Sequence, residues 1–185
     1  MGFFQKLNLK VFSRTLEKAK PLEKLGAIIA NSLGEAVKET DIVITMLTDD
    51  EAVEKVLGDQ EFLNNLKNSS TVIDMSSIKP KISIQYGKLL KDRNIHFLDA
   101  PVSGGTIGAE EGSLAIMVGG DQNVFDEAFD TLKIMGNPTL VGPIGSGQVS
   151  KLANQIIVGV TIGAVAEAIT LCEKAGVDAN KFIKA

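Results

Sequence analysis

Residues 95–105 read IHFLDAPVSGG, a short apolar run from Ile95 to Leu98 that ends in an acid, a proline, a hydroxyl and two adjacent glycines. An apolar run of this length, bounded by turn residues, reads as a buried strand. An ordinary turn is satisfied by about one glycine, whereas Asp99 to Gly105 reads as a backbone shaped to hold something small. Upstream the same sentence is written four times. LKVF (9–12) precedes TLEKAKPLEKLG (15–26), AIIA (27–30) precedes SLGEAVKET (32–40), DIVITML (41–47) precedes DDEAVEKVLGD (49–59), and TVIDMS (71–76) precedes KPKISIQYGKLLKDR (79–93). Short β-branched runs alternating with amphipathic stretches predict crossover helices over a mainly parallel sheet, a doubly wound α/β fold. Downstream, SLAIMVGG (113–120) and PTLVG (138–142) flank a helix at DQNVFDEAFDTLKIMG (121–136), with Asp121 as its N-cap.

From Gln148 the pattern becomes helical without a strand, ending at Gly176 with a new cap at Asp178. GPIGSG (142–147) is the expected junction, giving one unit over 1–146 and the start of an all-α unit over 147–185. The apolar run IIVGVTIGAVAEAI (156–169) is shorter than a membrane span and is interrupted by Glu167, so it reads as a buried helix.

The chain has 185 residues, 44% of them apolar, enough for one buried core and part of a second. Its formal charge of −4, with acids and bases interspersed, argues against a nucleic-acid partner. One cysteine, Cys172, and one histidine, His96, exclude an internal disulfide and a His/Cys zinc site. The N-terminal MGFFQKLNLK lacks signal- or transit-peptide character, so a cytoplasmic protein is expected. His96 reads as structural, Cys172 as helix core, and Met46, Met75 and Met117 as core packing.

In open sheets ligands sit at the carboxyl ends of strands, where DAPVSGG lies. Ser103 adds a hydroxyl to the main-chain N–H groups that Gly104 and Gly105 leave unobstructed, which suits a carboxylate or phosphate; a tight loop needing positive φ explains the glycines equally well. Lys151 lies near the start of the long helix, with Asn154 three residues on and therefore on the same face. A lysine desolvated against a helix surface serves as a general acid or base; the alternative is a solvated lysine. After the first strand, Arg14 with Ser13 and Thr15 suits the 2′-phosphate of NADP, where an acid would suit NAD; a helix cap followed by a surface arginine is the other reading.

Together these segments resemble the β-hydroxyacid dehydrogenase family, the group of 3-hydroxyisobutyrate dehydrogenase, tartronate semialdehyde reductase and glyoxylate reductase. DAPVSGGTIGAEEGSLAIMVGG resembles its substrate-binding signature, GSGQVSKLANQ the segment bearing its catalytic lysine, and TMLTDDEAVEKVL and DMSSIKP its cofactor loops. The resemblance implies a Rossmann-like fold and hydride transfer between NADP, or NAD, and a small carboxylate substrate. Lys151 would exchange the proton, Ser103, Gly104 and Gly105 would hold the carboxylate, and Asn154 would orient the reacting oxygen or Lys151. Arg14, Thr15, Leu47, Thr48 and Ser77 would line the cofactor, with no membrane partner and a homo-oligomeric assembly. Imine reductases share the architecture but commonly carry Asp at the lysine position.

The sequence departs from the family at both ends. The opening strand with its Gly-x-Gly-x-x-Gly turn is expected to be missing, Met1–Gly2 being at most its tail, which would leave two inner strands with unpaired edges. Most of the helical domain is expected to be missing as well. The alternative function is a catalytically inactive fragment, or a non-catalytic, self-associating module of the same fold.

Overall fold

Five of the described helices start at side-chain caps. Asp49, Asp59, Asp121 and Asp178 each accept main-chain N–H groups of the helix that follows, as does Ser32. The computed structural model describes residues 8–185. In chain order these form β1 (Lys10–Val11), α1 (Leu16–Glu23), β2 (Ile28–Ile29), α2 (Leu33–Val37), β3 (Ile42–Thr45), α3 (Asp50–Leu57), α4 (Gln60–Asn65), β4 (Thr71–Asp74) and α5 (Pro80–Lys91). There follow β5 (His96–Asp99), β6 (Val102–Ser103), α6 (Gly105–Glu111), β7 (Leu114–Gly119), α7 (Gln122–Met135), β8 (Gly136–Gly142), α8 (Ser146–Lys174) and α9 (Ala179–Lys184).

The main sheet runs β3-β4-β5-β7-β6, with β8 on β7. β3, β4 and β5 are parallel, as are β7 and β8; the chain reverses between β5 and β7, and β6 is antiparallel to β7. Neighbouring residues of the central strands enter opposite cores. Val72 and Phe97 pack with Val53, Leu57, Phe62 and Leu90, whereas Ile73 and Leu98 pack with Ile116, Val118, Ala128 and Leu132. Strands covered on both faces are why these runs are continuously apolar, and the doubly wound, mainly parallel α/β reading stands. Sequence reasoning missed α4, β6 and α6, all short and polar or glycine-rich.

β1 and β2 form a separate parallel pair, and among the described residues the remaining edges of β1 and β3 carry no strand partner. The reading of Met1–Gly2 lies outside the described residues. Met46, expected in the core, is 57% exposed just beyond β3, while Met75 is buried.

A second correction concerns α8. Only Gly147 and Gln148 of its residues are buried, and Ile156, Ile157, Val160 and Ile162 are each about two-thirds exposed. The apolar run read as a buried helix therefore stands in solvent, because beyond its first turns the described residues place only α9 against it. Cys172 is half-buried there rather than in a core. By length and composition alone α8 could also cross a membrane, a test that core helices of soluble proteins pass too.

Candidate active site

DAPVSGG ends β5, makes the short β6 and turns into α6. Gly104 (φ 136°) caps α6 and Gly105 (φ 64°) opens it, so both occupy the left-handed region that other residues adopt only with strain. The glycine pair is thereby explained by backbone geometry. Ser103, half-buried, points its hydroxyl at α8, where Asn154 Nδ2 donates to Ser103 Oγ at 3.3 Å.

Asp99 is fully buried, and sequence reasoning missed its role. Its Oδ1 accepts the Gly145 N–H at 2.7 Å and its Oδ2 the Gln148 N–H at 3.0 Å, so the carboxylate holds the start of α8. A carboxylate at a helix N-terminus meets both the orphan donors and the favourable end of the helix dipole. A side chain at Gly147 would put its Cβ 2.6 Å from the Asp99 carbonyl oxygen, so only glycine lets the helix approach this closely. Burial raises the Asp99 pKa; the N–H groups of Gly145 and Gln148 oppose that rise. The cross-strand neighbour Asp74 is also fully buried, and burial raises its pKa against hydrogen bonds from Ser76 and Thr45.

One turn beyond the anchored end, Lys151 lines a cavity of about 300 Å³ with Asp50, Ser77, Ile78, Lys79, Gln148 and Gln155. Burial lowers the Lys151 pKa. Ser77 also lines an adjoining cleft of about 420 Å³ with Thr48, Asp49 and Asp50. The two loops at this cleft are tied together: Leu47 N–H donates to Ser76 Oγ at 2.9 Å, and Lys79 N–H to Asp50 Oδ1 at 3.0 Å. The Lys79 ammonium pairs with Asp50 at 2.6 Å, which raises the lysine pKa and lowers that of Asp50.

The structure thus brings Lys151 and Ser77 to one cavity, Thr48 and Ser77 to the next, and Ser103 against Asn154. Leu47 belongs to the same loop, but its side chain packs on the core. Arg14 and Thr15 are exposed and line neither cavity; Thr15 is the N-cap of α1, and its N–H donates to Ser13 Oγ. A signal for Asp99 was present in sequence: an acid ending an apolar strand needs donors, and the glycines of GPIGSG expose them.

A family model described as the NAD binding domain of 6-phosphogluconate dehydrogenase matches residues 4–159, and one for the NAD-binding region of NADP-dependent 3-hydroxyisobutyrate dehydrogenase matches 145–185. The 2-hydroxy-3-oxopropionate reductase of Escherichia coli (strain K12) is 42% identical over 86% of this chain and 56% of its own length. The structure of Mycobacterium tuberculosis 3-hydroxyisobutyrate dehydrogenase with L-serine is 34% identical, with a TM-score of 0.85 over 90% of this chain and 57% of that one. An imine reductase from Myxococcus stipitatus in complex with NADP+, 22% identical with a TM-score of 0.87, shares the fold. The chain spans a little over half the length of the two dehydrogenase relatives. It belongs to the β-hydroxyacid dehydrogenase family, through an NAD-binding domain that accounts for most of its residues.

Proposed function

We propose that this chain carries the nucleotide half of an oxidoreductase that moves a hydride between NADP, or less favourably NAD, and a small 3-hydroxy acid or its semialdehyde. The observation that carries the reading is the placement of Lys151, half-buried and one turn from an anchored helix start, with Asn154 on its face bonded to Ser103. The exposed hydroxyls of Thr48 and Ser77 beside the Lys151 cavity fit the ribose and carboxamide of a dinucleotide. NAD(P)H supplies the hydride when bound. Lys151 Nζ gives a proton to the substrate oxygen in reduction and takes it back in oxidation, and burial, which lowers its pKa, eases the release of that proton. Ser103, Gly104 and Gly105 receive the substrate carboxylate, and Asn154 orients the reacting oxygen or the lysine. Arg14 and Thr15 take the 2′-phosphate, which favours NADP. In this reading the boundary between the two units falls at 146/147.

A second reading is favoured by the bare α8 and by the edges of β1 and β3 that carry no strand partner among the described residues: a non-catalytic, self-associating module of the same fold. NAD(P)H-dependent turnover of glyoxylate, tartronate semialdehyde or succinic semialdehyde supports the first reading. Its absence for all three at high protein concentration, with concentration-dependent association in light scattering, supports the second.

A further inference from the structure

Gln148 is 1% exposed, and every polar atom of its side chain is engaged by one short segment far away in sequence. Its Nε2 donates to the Ser76 carbonyl at 2.8 Å, and its Oε1 accepts the Ile78 N–H at 3.0 Å. The amide therefore grips the main chain on both sides of Ser77. Its own N–H is held by Asp99, so the grip starts from a fixed point at the carboxyl end of β5. Ser76 is fixed in turn, because its hydroxyl donates to Asp74 Oδ1 at 2.6 Å and accepts the Leu47 N–H. A continuous set of hydrogen bonds thus runs from the loop after β3, through the loop after β4, to the first turn of α8. Gln148, Lys151 and Gln155 lie on one face of that helix and line the same cavity.

We propose that Gln148 is a positioning residue that fixes the spacing between the Ser76–Ile78 main chain and the Lys151 amine, acting on the lysine without touching substrate. The inference deepens the reading of Lys151 as proton donor and rests on it. The amide spans two main-chain groups that flank a cavity-lining hydroxyl. Releasing it leaves the Ser76 carbonyl and Ile78 N–H buried without partners, so the loop must move to find water. Lys151 then becomes solvated. Asp50 and Lys79 are the charged side chains that share its cavity, and they pair with each other.

The test is competitive acetylation of the purified chain with acetic anhydride over a pH series, read by mass spectrometry, with exposed Lys88 and Lys91 as internal references. In the parent, Lys151 titrates below both references. In Gln148→Met, of similar length but without polar atoms, its midpoint rises to meet them while circular dichroism shows a folded chain. Where Gln148→Met does not fold, Gln148→Asn is read the same way, since it keeps an amide one methylene too short to reach both partners. A Lys151 midpoint unmoved in a folded variant overturns the proposal, as does a parent Lys151 that titrates with Lys88 and Lys91. NADPH titration of the same samples separates the two claims. A parent that binds no nucleotide but shows the Lys151 shift loses the functional reading and keeps the positioning role; a binding parent without the shift loses only the positioning role.

Discussion

The two ends of α8 are built by opposite physics. Its first turn lies at the carboxyl ends of β5 and β7, held by a buried carboxylate through two N–H groups and by a side-chain amide through two main-chain bonds. Three turns later the same helix shows apolar side chains to solvent at 156, 157, 160 and 162, positions that point all round its axis. The covered end is determined by contacts within this chain, and the candidate chemistry, Lys151 and Asn154, sits beside it. The bare end is apolar without a cover, so it contributes little to the stability of the chain as it stands and offers surface for association.

That contrast is broken most severely at Asp99. Asp99→Ala leaves the N–H groups of Gly145 and Gln148 buried and unpaired, and a loss of about 3 kcal/mol or more is expected in urea unfolding. Lys151→Ala removes the proton donor: turnover is expected to fall about 10²-fold or more, with NADPH affinity nearly unchanged. An equal loss of both would mean that Lys151 serves the cofactor instead.

Asp74 sharpens the comparison through pH. Its folded pKa is raised by burial above the ordinary 3.8, so the stability owed to its protonated form is present below 3.8 and is lost as pH rises through the folded value. Asp74→Asn is indifferent to pH at this site. Urea midpoints taken at increasing pH should therefore show the variant gaining on the parent, and a constant difference would contradict the assignment. The smallest effect is expected at the bare end, where Ile156→Gln should change stability by no more than about 0.5 kcal/mol while weakening self-association in light scattering.

The α/β order was legible because continuously apolar strands such as TVID and HFLD alternate with helices capped by Asp49 and Asp121. The proximity of Ser103 to Asn154 was not readable from spacing, since 51 residues and a strand reversal separate them. Gln148 was hidden for a related reason: a polar residue in a helical pattern reads as solvent-facing unless its distant partners are known. The apolar periodicity of α8 reported what the helix suits and not what covers it, which is why its burial was misread.

The central claim is that the loops after β3 and β4 and the start of α8 form a nucleotide site. The most direct measurement is a fluorescence titration of the purified chain with NADPH and, separately, NADH. Saturable binding with NADPH favoured is the predicted result, and Arg14→Ala should erase that preference. No binding of either nucleotide, by a chain shown to be folded, would contradict the claim and leave the self-associating module as the reading to pursue.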